Sequence, residues 1–181
     1  MDSKTYLKES ARTASTQFHT EIVSPPMLRY ALESAVDTGE LVDIAKKSLF
    51  YGKTIKDTDP GKLLQNAAEG DQIDVEAVPH DILHAAMGIY TEAAEMLEAV
   101  LKAMESGDLD KVNLFEELGD MEWYAAMMYR AIEKSPGEAK EVNIIKLRKR
   151  FPEKFETSFA IDRDVSAERE ILEKGSLKDE E

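Results

Sequence analysis

The sequence predicts an all-α protein, a bundle of four or five main helices. Residues with high helix propensity dominate a chain of 181 residues that contains nine glycines and six prolines. Apolar residues recur at spacings of three and four over long stretches, and sustained strand-like alternation is absent. Clusters of serine, proline and glycine, such as Ser135-Pro136-Gly137, separate these stretches and set the expected helix ends.

Composition and charge exclude several classes of protein. The net charge of −14 disfavours a nucleic-acid surface, which needs a basic face. No apolar run of 18 residues is present, so we expect no membrane contact. The first ten residues, MDSKTYLKES, lack the apolar core of a signal peptide. The chain has no cysteine, which fits a reducing compartment, and we expect a cytoplasmic protein.

We expect one domain over residues 1–175 and a disordered tail over 176–181. A first helix is predicted over residues 4–23, with Phe18 and Ile22 on one side. Ser24-Pro25-Pro26 ends it, and because proline is tolerated in the first turn, a second helix is predicted from there to about Tyr51.

Residues 53–79 form a long connection before the next main helix. Asp59 as an N-cap and Pro60 at the first helical position predict a short helix within it. A connection of this length is unusual in a compact domain, so it is a lid, an arm to another subunit or a decoration. The next helix is expected to begin after Pro79 and to end before Gly107.

Two predicted helices in residues 88–130 each carry two carboxylates spaced three residues apart. Glu92 and Glu95 lie on the first helix, and Glu117 and Asp120 on the second. Residues at this spacing share one helix face. An antiparallel turn at Ser106-Gly107-Asp108 would bring the four carboxylates together, where they repel one another unless a hard divalent cation lies among them. The alternative is a charged, solvated outer face.

A separate apolar stripe runs along each of these helices. It comprises Leu83, Met87, Tyr90, Ala94, Leu97, Leu101 and Met104 on the first, and Leu114, Leu118, Met121, Ala125, Met128 and Ile132 on the second. The small residues Gly88 and Ala99 lie beside the acids of the first helix, and Asn113 and Tyr124 share the acidic row of the second. Helices that are apolar on more than one face predict a homodimer or a dimer of dimers.

Two other groups of residues have functional and structural interpretations. His80 and His84 have a spacing that zinc sites use, but no third ligand is evident, so we expect a helix-start histidine and a packed one. The predicted helix 138–151 carries the densest basic cluster of the chain. That cluster is either a solvated helix end or a phosphate-binding surface, and in the second case Lys146 and Arg150 would contact a triphosphate.

The segments HAAMGIYTEAAEML and DKVNLFEELGDMEWYAAMM resemble the MazG-like all-α nucleoside triphosphate pyrophosphohydrolases. That family has E-x-x-E on one helix and E-x-x-D on the next, which match Glu92-x-x-Glu95 and Glu117-x-x-Asp120. The clear resemblance covers residues 84–131, including Trp123-Tyr124, and a weaker one covers residues 143–172.

The resemblance implies an all-α bundle that hydrolyses a nucleoside or deoxynucleoside triphosphate to monophosphate and pyrophosphate with Mg²⁺, for which Mn²⁺ can substitute. It implies that Glu92, Glu95, Glu117 and Asp120 are the metal ligands and the catalytic residues. Asn113, Tyr124, Lys146 and Arg150 are the candidates for substrate contacts. One of the four acids, or a neighbouring residue, would polarise the attacking water.

The chain departs from the family pattern in one respect. Asp37-x-x-Glu40-x-x-Asp43 repeats the spacing of Glu92, Glu95 and Glu98, and KKSLFYGK (46–53) precedes the E-x-x-E helix instead of following it. An internal duplication and a coincidence are both compatible with this order, so Asp37 and Glu40 are alternative metal ligands.

Two other function classes fit the pattern. One is a non-catalytic helical scaffold. The other is a di-metal carboxylate bundle of different chemistry, although a di-iron bundle would need Glu-x-x-His motifs, which the chain lacks.

Overall fold

A computed structural model describes residues 2–14, 19–70 and 73–176, and all regular elements in these ranges are helical. The all-α prediction is confirmed for this part of the chain. The helices are α1 (Ser3–Ala11), α2 (Pro25–Tyr51), α3 (Asp59–Asn66), α4 (His80–Ser106), α5 (Lys111–Ala131), α6 (Pro136–Arg150), α7 (Thr157–Ile161) and α8 (Val165–Ser176), with short 3₁₀ turns at Ala67–Glu69 and Val75–Ala77.

The chain divides into two compact units. The central unit is His19–Ile132, and the terminal unit combines Met1–Phe18 with Glu133–Glu181. Whether they act as one domain stays a prediction, and residues 177–181 of the predicted tail lie outside the described ranges. Within those ranges, no helix has the length and apolarity that crossing a membrane requires.

Local signals determine the ends of the long helices in the central unit. Helix α2 has prolines in its first turn and ends at Gly52, whose φ of 65° is left-handed. Helix α4 ends at Gly107, with a φ of 78°. The Asp110 side chain then caps α5 by accepting the backbone N–H groups of Val112 and Asn113, each at 3.0 Å. The predicted bounds of α2 and α4 are therefore confirmed.

Helix α4 packs against both α2 and α5, and glycine makes each approach close. A Cβ atom on Gly39 of α2 would lie 2.2 Å from the Ala94 Cβ of α4. A Cβ atom on Gly88 of α4 would lie 2.2 Å from the ring of Tyr124 on α5. A larger side chain at either glycine would push the helices apart close to the predicted carboxylate site.

Two of the four predicted carboxylates, Glu92 and Glu117, lie on the buried faces of α4 and α5. The buried residues are His84, Ala85, Gly88, Thr91, Glu92 and Ala94 on α4, and Glu117, Tyr124 and Met127 on α5. The apolar stripes are partly exposed, since Met104 is 61% exposed and Leu118 is 49% exposed. The solvated-face alternative is therefore wrong for Glu92 and Glu117.

The predicted first helix, residues 4–23, is too long. Helix α1 ends at Ala11, and residues 20–22 form a turn; Phe18 and residues 15–17 lie outside the described ranges. Serine and threonine side chains compete for backbone hydrogen bonds, as the Thr13 hydroxyl does by donating to the Ser10 carbonyl at 3.1 Å. The Arg12 guanidinium donates to the carbonyls of Phe151 and Glu153 at 2.9 and 2.8 Å, which holds the chain where the helix ends.

Three other helix ends differ by a few residues from the prediction. Thr58, one residue before the predicted Asp59, caps α3 by accepting the Gly61 N–H. Helix α5 ends at Ala131 rather than near Lys134, because Glu133 adopts a left-handed φ of 54°. Helix α6 begins at Pro136, where Ser135 and Glu138 form a capping box.

In the terminal unit, α6 packs against α1 and α8. Its core contains Ile144 and Phe151, which are 2% and 3% exposed.

Candidate metal centre

Three glutamates converge between α4 and α5. Glu92 and Glu95 come from α4 and Glu117 from α5, and one carboxylate oxygen of each lies within 4.8 Å of the others. Opposite oxygen ligands lie about 4 Å apart around Mg²⁺ and about 5 Å apart around Ca²⁺. The three oxygens are therefore near the spacing that a hard divalent cation requires. Glu92 and Glu117 are buried, whereas Glu95 is open to solvent.

The electrostatics of this cluster favour a bound cation. Partial burial, followed by repulsion from Glu92 and Asp43, raises the pKa of Glu95. Burial and then the negative charge of Glu95 raise the pKa of Glu117, although a hydrogen bond from Asn113 Nδ2 at 2.7 Å acts in the opposite direction. Ionised carboxylates are thus unfavourable here, and a positive ion among them would relieve the repulsion.

A lysine from α2 reaches the same cluster. Lys46 is 2% exposed, and its Nζ donates to Thr91 Oγ1 at 2.6 Å. The same nitrogen lies 3.2 Å from Asp43 Oδ1, 3.5 Å from Glu92 Oε1 and 5.1 Å from the centre of the Tyr124 ring. Asp43 Oδ1 is buried and makes no hydrogen bond, so this ion pair is its main compensation.

Lys46, Asp43 and Thr91 are site residues that the carboxylate spacing does not predict. A signal was present on α2, because the acidic series at 37, 40 and 43 continues at the same spacing to Lys46. That series predicts a shared face, but only the approach of α2 to α4 shows that the face is internal.

The structure separates the predicted ligands into two groups. Glu92, Glu95 and Glu117 come together, whereas Asp120 is exposed and does not belong to the converging group within the described residues. The alternative ligands Asp37 and Glu40 are also exposed and outside that group. The role of Asp120 as a fourth ligand stays a prediction.

Tyr124 and Asn113 lie beside the cluster, as their row on α5 predicts. Tyr124 is 8% exposed, packs on Gly88 and places its hydroxyl 3.5 Å from that of Tyr51. Burial and then Tyr51 raise its pKa. Asn113 is half-buried, and its amide is held by Glu117. The predicted contacts of both residues with a nucleotide stay predictions.

Lys146 and Arg150 lie on α6 of the terminal unit. The Arg150 Nε donates to Glu168 Oε1 at 2.7 Å, and Arg163 donates to the other oxygen of that carboxylate at 2.7 Å. These two arginines lower the pKa of Glu168 to about 2. Arg150 therefore has a structural partner within its own unit, and the predicted triphosphate contacts of Lys146 and Arg150 stay predictions.

The packed interpretation of the second histidine is confirmed. The His84 ring stacks on Phe50 with 4.1 Å between ring centroids, and its Nε2 lies 3.0 Å from the Tyr51 hydroxyl. Burial and then the nearby His80 and Lys46 lower the pKa of His84. Neither histidine belongs to a converging metal-ligand group within the described part of the chain.

Cavities border the carboxylates on two sides. One of ≈ 290 Å³ lies between α2 and α4, lined by residues that include Asp43, Thr91 and Glu95. Another of ≈ 490 Å³ lies toward α5, lined by residues that include Glu95, Asn113 and Glu117. Glu95 lines both cavities, so it is the member of the cluster best placed to meet a ligand.

Comparison of the chain with protein-family models, curated proteins and solved structures finds no match. The resemblance over residues 84–131 therefore stays a prediction.

Proposed function

We propose that the protein is a Mg²⁺-dependent pyrophosphohydrolase that cleaves a nucleoside or deoxynucleoside triphosphate to monophosphate and pyrophosphate. The observation that carries this proposal is the convergence of Glu92, Glu95 and Glu117 in a partly buried cluster beside two cavities. The resemblance of residues 84–131 to the MazG-like family supports the same reaction.

The donor set fits magnesium. All three converging side chains offer oxygen, which Mg²⁺ and Mn²⁺ prefer, and histidine and cysteine ligands of softer metals are absent from the converging group in the described residues. A magnesium ion held by few carboxylates keeps positions for phosphate oxygens and water, so when bound it would neutralise charge on the triphosphate and lower the pKa of a water molecule.

The protein residues then have separate tasks. The buried carboxylates of Glu92 and Glu117 anchor the site, and Asn113 keeps Glu117 oriented. Glu95 faces both cavities, so it is the acid best placed to accept a proton from the attacking water.

A lysine-lined cavity next to the acids provides a place for phosphates. It measures ≈ 230 Å³, and Lys47, Lys53 and Lys56 line it together with Thr54 and Thr58. Asp43 lines both this cavity and the one beside Glu95, so the two are neighbours. We assign the phosphate tail of the substrate to this cavity. Triphosphate contacts of Lys146 and Arg150 stay a separate prediction.

The alternatives predict different behaviour. A helical scaffold would use the exposed apolar stripes of α4 and α5 for assembly, but it would release no pyrophosphate. A di-iron bundle would need histidine among its ligands, and none converges in the described residues. The exposed stripes also support a homodimer or dimer of dimers for the enzyme.

A product analysis tests the proposal. The full-length protein is incubated with each nucleoside and deoxynucleoside triphosphate and Mg²⁺, and the products are identified by chromatography. We expect monophosphate and pyrophosphate from at least one substrate, no reaction in EDTA, and recovery with Mg²⁺ or Mn²⁺. Diphosphate with inorganic phosphate, or no hydrolysis of any substrate, would contradict it.

A further inference from the structure

We infer that Lys46 is a built-in cation of the carboxylate cluster: its ammonium group fills one cation position, so that the cluster binds a single divalent ion. The inference rests on the metal site of the proposed function. It deepens that function by specifying how many ions the site takes and which residue sets the number.

The surroundings of Lys46 resemble those of a bound cation. Its Nζ is enclosed by oxygens of Thr91, Asp43 and Glu92 at 2.6, 3.2 and 3.5 Å. The face of the Tyr124 ring lies on another side at 5.1 Å from the ring centre. Lysine is almost never fully buried unless it is paired, and here each acidic partner also borders the proposed site.

Lys46 occupies the region that a second metal ion would need. Two-metal sites place their ions about 3.5–4 Å apart and share carboxylates between them. A second ion beside the converging glutamates would require oxygens of Asp43 or Glu92, which already face the ammonium group. It would also lie close to a positive charge in a partly buried environment, where repulsion is weakly screened.

The charge of the cluster also links Lys46 to the number of divalent ions that bind. Asp43, Glu92, Glu95 and Glu117 supply four negative charges, and Lys46 supplies one positive charge within the cluster. Without Lys46 the net charge would be −4, which two divalent ions would neutralise. With Lys46 it is −3, so one ion would leave −1 and a second ion would make the group positive before any substrate binds. Lys47 pairs with Asp43 from the outer side, and its side chain is 38% exposed.

Lys46 also positions Glu92. The Thr91 hydroxyl accepts from Lys46 and lies 3.2 Å from Glu92 Oε1 and 2.9 Å from the Gly88 carbonyl, the two acceptors that its single proton can serve. Lys46 therefore compensates the negative charge of Glu92 and, through Thr91, helps to orient the Glu92 carboxylate that would bind the metal.

The experiment counts Mn²⁺ ions bound to the full-length protein without nucleotide, by electron paramagnetic resonance of the free ion. Ions that remain bound to the double variant Glu95→Gln/Glu117→Gln, which loses two of the three converging carboxylates, are subtracted as weak surface binding. We expect one ion for the parent and two for Lys46→Met, which removes the charged amino group and keeps an unbranched side chain one atom shorter. The matched control is Lys47→Met, which removes the neighbouring exposed lysine and should keep one ion.

A second variant covers the possibility that Lys46→Met does not fold. Lys46→Gln removes the charge but keeps a hydrogen-bond donor for Thr91, and it should also bind two ions. The parent count decides the question even without these variants, since two site-bound ions in the parent would overturn the inference. One ion in a folded Lys46→Met or Lys46→Gln would also overturn it.

Failure of the inference is distinguishable from failure of the proposed function. Absence of Mn²⁺ binding in the parent overturns the metal site and the inference together. A change from one ion to two in the Lys46 variants supports the inference even if no triphosphate is hydrolysed.

Discussion

Glu95 is the carboxylate on which the electrostatic cost of the cluster can be measured most directly. Its pKa is raised in the folded protein, so its ionised form destabilises the folded state above that pKa. This penalty is relieved as the pH falls through the raised pKa toward the ordinary value of 4.5. We predict that Glu95→Gln stabilises the metal-free protein near neutral pH by on the order of 0.5 kcal/mol, a modest figure because solvent screens this side chain.

Thermal unfolding in EDTA checks this prediction. The melting temperature of Glu95→Gln should exceed that of the parent near neutral pH and approach it in acid. Added Mg²⁺ should raise the melting temperature of the parent but not of the variant, because a bound ion stabilises only the folded state. A metal-free variant that melts below the parent would show that Glu95 has a stabilising partner instead.

The sequence predicted three of the converging residues but not the lysine beside them. Glu92 and Glu95 follow from spacing, since residues three apart share a helix face whatever the tertiary structure. The same spacing pairs Glu117 with Asp120, yet only Glu117 joins the converging group, because that depends on how α5 packs on α4. The burial of Lys46 depends on how closely α2 approaches α4, and that distance depends on Gly39 meeting Ala94. Spacing within one helix contains no information about such a contact.

Among the elements, the segment that follows α2 is proposed to bind phosphate. Lys53 and Lys56 lie in this segment and line the cavity beside the acids. A charge-assisted hydrogen bond contributes about 1.5–3 kcal/mol, so we predict that Lys53→Ala and Lys56→Ala each raise KM for the triphosphate by at least about tenfold.

Steady-state kinetics measure this effect, and Lys62→Ala is the control. Lys62 lies on α3, pairs with Asp57 at 3.4 Å and is not among the residues that line the cavity. The control should keep the KM of the parent. An unchanged KM in both cavity variants would contradict the assignment of the phosphate tail to this cavity.

The contact between α6 and α8 should make the terminal unit sensitive to acid. The pKa of Glu168 is lowered to about 2 by hydrogen bonds from Arg150 and Arg163. A lowered pKa stabilises the folded state above the unfolded value, near 4.5, and this stabilisation is lost as the pH falls toward about 2. We predict that Glu168→Gln destabilises the protein at neutral pH and that its difference from the parent shrinks as the pH falls through that range.

Urea unfolding at several pH values measures that difference. Glu170→Gln serves as a control, because Glu170 is exposed and pairs with Lys174 on the surface of α8. Surface ion pairs contribute little, so the control should follow the parent at every pH. If the free energies of unfolding of Glu168→Gln and the parent differ by the same amount at every pH, the contact between α6 and α8 does not depend on the charge of Glu168.

The helix ends also show where local sequence signals are sufficient to predict the structure. The ends of α2 and α4 were predicted correctly because proline and a left-handed glycine act within one turn. The end of α1 was predicted wrongly, because Arg12 is held by carbonyls about 140 positions away in the sequence. Contacts of that range leave no periodic pattern in the sequence.

At the scale of the whole molecule, the exposed stripes of α4 and α5 predict self-association. Met104 and Leu118 are 61% and 49% exposed although both belong to apolar rows. We predict a dimer or tetramer in size-exclusion chromatography with light scattering, and a shift toward monomer in Leu118→Glu. The exposed Glu122→Gln is the control, and a monomeric parent would contradict the prediction.

The most direct measurement of the central claim is the rate of pyrophosphate release with Mg²⁺ by the parent, Glu117→Gln and Glu122→Gln. Glu117 is buried and converges with Glu92 and Glu95, whereas Glu122 is an exposed acid on the same helix. If the cluster holds the metal for phosphoryl transfer, Glu117→Gln should release pyrophosphate at no more than about a hundredth of the parent rate. Glu122→Gln should match the parent. Pyrophosphate release by Glu117→Gln at the parent rate, or none by the parent with any triphosphate, would contradict the claim.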